Sequence, residues 1–174
     1  MTGKADPSAE FIIIAFGANL PNPDFGSPRD TCLAALAELD ARGVKVRRRS
    51  PFYESAPVPI SDQPWYVNGV AQVETALDPE GLLAVLHETE RRFGRVRRER
   101  NEARVMDLDL IAYGRQVHEA PPPILPHPRM ADRAFVLLPL RDIAPGWVHP
   151  VTGRTVEDLV AKLAPGQQIR RAAG

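Results

Sequence analysis

The sequence holds a single cysteine, Cys32, so it can close no disulfide within itself and nothing in it points to an oxidising compartment. It holds no excess of charge: 22 Lys and Arg balance 22 Asp and Glu, which removes the global field that draws a chain to nucleic acid or to an anionic membrane. It has no apolar run near the ~20 residues of a membrane-spanning helix, and residues 1–10 are polar, without the apolar stretch of a secretory signal. No G-x-x-x-x-G-K-[ST] occurs, so an ATP site here is not a P-loop, and no His/Cys spacing suggests zinc. These absences predict a soluble, cytoplasmic protein with neither nucleic acid nor membrane among its partners. Proline is over-supplied, 18 residues where an average share of ~5% would give half as many, and it gathers at 57–64, 121–128 and 139–150, which predicts rigid loops.

With 174 residues and 44% hydrophobic content the chain can fill one core. One domain is expected over 11–165, between a polar N-terminal tail, 1–10, and a C-terminal tail, 166–174. Phe11 to Phe16 is a short apolar run stopped by Gly17, the pattern of a buried strand. Cys32, Leu33, Leu36 and Leu39 recur at helical spacing before Gly43, with Cys32 as a small apolar filler. Val44 to Ser55 and Trp65 to Thr75 read as two strands joined by a proline-rich loop. Asp78-Pro79-Glu80 opens a helix whose buried stripe is Leu82, Leu83, Leu86 and Phe93, with Gly94 as its stop. Asp107 to Tyr113 alternates carboxylates with Leu108 and Leu110, as a strand wet on one side does. The order strand, helix, strand, strand, helix, strand predicts an α+β, ferredoxin-like fold, an antiparallel sheet with helices packed on one face. After Gly114 the chain reads as loop and short helix, with a last helix at Thr155 to Leu163.

The chemistry concentrates in a few places. Asp107 and Asp109, two apart on a strand, leave the same face with side chains about 7 Å apart at the base. Such a pair suits Mg²⁺, which keeps waters and substrate phosphates in its shell, better than Ca²⁺, which wants more protein ligands. Upstream runs Arg91, Arg92, Arg95, Arg97, Arg98, Arg100 and Arg104, and guanidinium forks match phosphate oxygens; Arg91, Arg92 and Arg97 read as solvated surface, while Arg95 and Arg104 bracket the loop nearest the carboxylates. Glu90 falls between Leu86 and Phe93 on the buried stripe, where a carboxylate either finds a partner or sits at an edge in view of solvent. His127 stands in the stiff segment Leu125-Pro126-His127-Pro128, able to present its ring to a phosphate, whereas His118 and His149 read as surface residues. Tyr66 and Asn68 leave one face of their strand, an aromatic plane beside an amide that both donates and accepts, suited to a flat heterocycle or to ordinary sheet surface.

In order and spacing the chain resembles the 6-hydroxymethyl-7,8-dihydropterin pyrophosphokinase family from about Phe11 to Pro145. The motifs are Phe16-Gly17-Ala18-Asn19-Leu20, Phe52-Tyr53-Glu54-Ser55, Asp62-Gln63-Pro64-Trp65-Tyr66-Val67-Asn68, Gly94-Arg95-Val96-Arg97, Arg104-Val105-Met106-Asp107-Leu108-Asp109, and Pro126-His127 followed by Arg133 and Phe135. The resemblance implies ATP-dependent transfer of diphosphate to 6-hydroxymethyl-7,8-dihydropterin in folate biosynthesis, by a monomer. It implies two Mg²⁺ ions on Asp107 and Asp109, with Arg95 and Arg104 as catalytic cations. An ATP site would include Leu83, His87, Glu90, Arg98, Leu110, His127 and Arg133. The pterin would lie between Tyr66 and Phe135, read by Asn68 and by backbone groups around Ser55, Ala56 and Val58. Departures from the usual pattern are Ala18 for Ser, His87 for Gln, Pro59 for Gly, and Pro128 for an aromatic. The loop Arg98 to Ala103 is one residue short, with Asn101-Glu102 where Trp-Gly is frequent, which touches the adenine side of the site. Like-charged arginines from Arg95 to Arg104 predict a lid that closes over ATP. Three rivals remain: a nucleic-acid module built on Lys45, Arg47, Arg48, Arg49 and the arginine run, a catalytically dead nucleotide-binding relative, and a phosphohydrolase. The acid pair and zero net charge oppose the first, the intact Asp107, Asp109 and Arg104 the second, and the lack of a ligand glutamate cluster the third.

Overall fold

Three of the helix starts carry their own local cause. Ser27 accepts from the Asp30 N–H at 3.2 Å and Pro28 takes the first helical position, opening α1, Pro28–Ala41. Asp78 and Pro79 repeat the device for α2, Pro79–Arg92, with Asp78 Oδ1 accepting from the Gly81 N–H at 2.7 Å. Thr155 caps α4, Val156–Ala161, which is shorter than the helix expected there. The other described helix, α3, Ala134–Ile143, is one of the short helices expected in this part of the chain; it contains Pro139 and is apolar on most sides. The computed structural model describes residues 11–57, 59–93 and 106–173. The expected polar tail at 1–10 and arginine lid at Arg95 to Arg104 lie outside them.

The strands are β1, Ile12–Ala18, β2, Lys45–Arg49, β3, Tyr53–Ser55, β4, Tyr66–Glu74, β5, Asp107–Tyr113, and β6, Ile169–Arg171. They form one antiparallel sheet in the order β5-β1-β4-β3-β6, with β2 paired to the far half of β4. The β1 run is apolar throughout because both its faces are covered. Ile14 and Phe16 join Leu36, Leu39, Leu82 and Leu86 beneath α1 and α2. Ile13 and Ala15 join Val70, Leu137, Leu140 and Trp147 beneath α3 and α4. The fold is ferredoxin-like, but helices cover both faces of the sheet instead of the one expected.

Three local features differ from the sequence reading. Val44 to Ser55 is two strands because Pro51 has no N–H for the ladder; Ser50 bridges the break, its N–H donating to Val70 O at 2.9 Å and its Oγ accepting from the Val70 N–H at 3.0 Å. The segment 166–174, expected as a tail, carries β6, whose residues pair with β3 from Tyr53↔Arg171 to Ser55↔Ile169. His149, expected at the surface, is buried: its ring packs edge-on to Trp147 and Nδ1 accepts from the Val151 and Thr152 N–H groups at 3.2 Å. Opposite Phe16 in the β1–β4 pair stands Gly69, and the phenyl ring lies over the bare backbone, edge to face with Phe52 at 5.9 Å. Among the described residues no helix is long and apolar enough to cross a membrane.

Candidate active site

In an antiparallel pair, residues directly opposite each other point to the same face. Gly17 lies opposite Asp107 on one side and Asn68 on the other, so an acid, a glycine and an amide form one cross-strand row. The next row is Asp109, Ala15 and Val70, and Ala15 and Val70 belong to the core beneath α3. Both carboxylates and Asn68 therefore face the α3 side, where the sheet runs past the start of that helix. A cavity of about 630 Å³ opens there, with Tyr66, Asn68, Asp107, Arg133 and Phe135 in its wall. Gly17 keeps its floor low: an added Cβ would already touch Val67 O at 3.4 Å and Asn68 Nδ2 at 3.5 Å, and anything longer would stand between the acid and the amide.

The amide is fixed. Asn68 is buried, and Ser55 Oγ donates to its Oδ1 at 3.0 Å. The proline-rich loop is tied down by buried Asn19, whose Nδ2 donates to Gln63 Oε1 and to Pro64 O, both at 3.1 Å. The Ala56 N–H donates to Gln168 O at 3.0 Å, so what Ala56 offers a ligand is its carbonyl. Across the cavity the Arg133 guanidinium lies 5.3 Å from the centre of the Phe135 ring.

His127 is held at two points: its main-chain N–H donates to Ile111 O of β5 at 2.8 Å, and its Nδ1 accepts from the Arg129 N–H at 3.1 Å. Burial, helped by the Arg133 and Arg129 charges and opposed by Asp107, lowers its pKa to about 4. At neutral pH the ring is uncharged, with its proton on Nε2, a donor suited to a phosphate oxygen. Glu90 is also buried, and its Oε1 accepts from the Leu108 N–H at 2.7 Å, which fixes β5 between the two aspartates.

Of the residues expected to bind ligands, the structure gathers Ser55, Ala56, Tyr66, Asn68, Asp107, Arg133 and Phe135 on one cavity. Asp109 is half-buried one row along the same face, and His127 approaches from the segment before α3. Leu83, His87 and Glu90 are on α2, against the opposite face of the sheet, and Leu110 is buried in the core there. Val58, Arg95, Arg98 and Arg104 lie outside the described residues. Asn19 and Gln63 lie inside the family-like motifs without a role of their own being legible there, and nothing in the sequence marks Arg129 or Gln167. The basic run of β2 is engaged within the fold: Arg47 pairs with Glu74, Arg48 donates to Ile143 O at 2.9 Å, and Arg49 lies over Phe52 at 4.6 Å.

The two half-buried aspartates are the metal donors on offer, and among the described residues no group of three His, Cys, Asp or Glu could hold an ion. Two carboxylates and no closed cage fit Mg²⁺, which retains waters and phosphate oxygens as ligands.

The profile of the 7,8-dihydro-6-hydroxymethylpterin-pyrophosphokinase (HPPK) family matches residues 13–145, most of the chain. This chain belongs to the HPPK family. It is similar to the 2-amino-4-hydroxy-6-hydroxymethyldihydropteridine pyrophosphokinase of Pseudomonas aeruginosa, 40% identical over 167 residues, covering 94% of this chain and 97% of that one. The protein of the same name from Synechocystis is 38% identical over 166 residues, covering 90% and 82%. The folic acid synthesis protein fol1 of Pneumocystis carinii is 39% identical over 154 residues, 88% of this chain but only 20% of that protein, so an HPPK chain of this length spans about a fifth of it. A crystal structure of Plasmodium falciparum HPPK-DHPS superposes with a TM-score of 0.62 at 14% identity, covering 87% of this chain and 43% of that one, a likeness of fold.

Proposed function

We propose that this HPPK-family chain transfers a diphosphate group from ATP to 6-hydroxymethyl-7,8-dihydropterin, giving the pterin diphosphate and AMP. The observation that carries the reading is the cross-strand row: Asp107, bare Gly17 and Asn68 put a metal-binding acid and a heterocycle-reading amide on one open floor. The pterin lies over that floor with Tyr66 and Phe135 beside it, and Asn68 hydrogen-bonds its ring edge while Ser55 holds the amide's rotation. The hydroxymethyl group is then directed towards Asp107. Its oxygen bonds to the β-phosphorus, the bond from that phosphorus to the α-phosphate oxygen breaks, AMP leaves with the electron pair, and the hydroxyl proton passes to solvent.

The residues supply position and charge. Arg133 offers a guanidinium to the phosphates, His127 a neutral N–H, and Glu90 holds the backbone between the aspartates so that both keep their aim. Mg²⁺ on Asp107 and Asp109, two ions in our reading, would neutralise phosphate charge. Arg95 and Arg104 complete the proposal as catalytic cations, and a monomer acting in the cytoplasm without nucleic acid is part of it. Incubation of the protein with ATP, Mg²⁺ and the reduced pterin should release AMP in step with loss of ATP; release of ADP, or of AMP without pterin, would overturn the reading.

A further inference from the structure

Most of the cavity is built by residues 13–145, the span matched by the family profile, but one wall is not. After α4 the chain turns at Pro165-Gly166, where Gly166 takes φ +93°, and runs back along β3 as β6. Gln167, the first residue past that turn, reaches into the cavity wall. Its side-chain amide makes two bonds: Oε1 accepts from the Ala134 N–H at 2.9 Å, and Nε2 donates to Asp132 O at 3.0 Å. The two partners flank Arg133 on either side, so one amide grips the main chain around that residue as a neighbouring strand would.

The grip answers a local deficit. Arg133 is the N-cap of α3 and provides no side-chain cap, while the helix's first N–H, on Ala134, needs an acceptor. Gln167 supplies it from the other end of the fold. The same short stretch carries Arg133 and Phe135 into the cavity, one a charge for phosphate and the other an aromatic face for the heterocycle. The strand behind the glutamine is secured: Gln168 O accepts from the Ala56 N–H at 3.0 Å, Arg170 bonds Glu54 at 2.9 Å and lies over Trp65, and Arg171 bonds Asp142 at 2.7 Å.

We infer that Gln167 is a positioning residue, which sets Arg133 and Phe135 at once and so couples the C-terminal strand to the binding of pterin and phosphate. This rests on the function proposed above. It is tested with Gln167→Leu, which keeps the volume and loses both bonds, beside Arg171→Ala, which loosens β6 away from the cavity. Gln167→Leu should lower kcat/KM for the pterin roughly tenfold, as the loss of two ordinary hydrogen bonds warrants, and should speed hydrogen exchange at the Ala134 amide. Arg171→Ala should lower Tm while kcat/KM for the folded protein stays within twofold of the wild type. If Gln167→Leu does not fold, Gln167→Glu, which keeps the acceptor for Ala134 and loses the donor to Asp132, should lower kcat/KM roughly threefold, as the loss of one of the two bonds warrants. An active wild type whose Gln167→Leu protein keeps kcat/KM within twofold or keeps the Ala134 exchange rate, or, where that protein does not fold, whose Gln167→Glu protein keeps kcat/KM within twofold, overturns the inference. A wild type that forms no AMP overturns the function instead, and the exchange rate at Ala134 then decides the clamp alone.

Discussion

Gly69→Ala isolates how tightly the sheet is closed against α1 and α2. A Cβ on Gly69 would fall 2.5 Å from Phe16 Cζ, 2.9 Å from Phe16 Cε2 and 2.9 Å from Ser50 Oγ, well inside van der Waals contact. None of the three can move freely. Phe16 is 2% exposed and packed edge to face on Phe52, and Ser50 Oγ is committed to the Val70 N–H across the strand break. Forcing a methyl into a filled core typically costs about 1–3 kcal/mol, and replacing glycine in a strand returns about 0.5–1 kcal/mol of chain entropy. With contacts as short as 2.5 Å the cost lies in the upper part of that range, about 2–3 kcal/mol, so the balance is a net loss of about 1–2.5 kcal/mol, a fall in Tm of roughly 2–10 °C for a domain of this size. Calorimetry on the single variant, on Phe16→Leu and on the pair completes a double-mutant cycle. The smaller ring substitute should make room, so the double variant should be more stable than the sum of the two losses by about 0.5 kcal/mol or more. A Gly69→Ala protein with an unchanged or higher Tm, or strict additivity in the cycle, would refute the argument.

Three further outcomes follow from other parts of the molecule. Asp107→Ala and Asp109→Ala should each cut AMP formation by roughly 10² or more with Tm little changed, since preorganised charge of this kind carries such factors; near-normal turnover by either variant would sink the metal assignment. Cys32 is fully buried and its thiol is pushed up to about 12 by burial, so the native protein should resist thiol reagents at pH 8 and react only when denaturant is added. For His127, the pKa of about 4 lies below the ordinary 6.5, so the unfolded chain takes up the proton first as pH falls. Its contribution to stability is therefore complete above about 6.5 and lost progressively down to about 4, and the His127→Asn protein should show a shallower fall in Tm over that window.

Much of the fold is legible where local rules and tertiary packing agree. The caps at Asp78-Pro79 and Thr155 mark helix starts, and the carboxylate alternation of Asp107 to Tyr113 matches β5 to its ends. What is hidden is set by partners distant in sequence. Pro51 signals a break but not that Ser50 would fill it, and β6, with Arg170 and Arg171 on a polar segment, becomes a strand only because β3 offers an open edge. Helix α3 is masked by Pro139 and by an apolar composition that lacks a polar face, because it covers a sheet on one side and packs with α4 on another. For the site, the same-face placement of Asp107 with Asp109 and of Tyr66 with Asn68 follows from the strand period alone. The row through Gly17 does not, since β1 is apolar on both faces and its pattern leaves open which residues of β4 and β5 stand opposite it.

The interior position of β1, between β5 and β4, also shapes how the chain must be made. It leaves the ribosome as the apolar run Ile12 to Phe16 ahead of both its partners, Tyr66–Glu74 and Asp107–Tyr113, which are synthesised later. Until they arrive the segment has two open hydrogen-bonding edges and no cover on either face, the condition in which nascent strands pair with the wrong neighbour. With its contacts so distant along the chain, folding is expected to be slow, and expression yield rather than catalytic rate is where chaperone supply during synthesis should be felt.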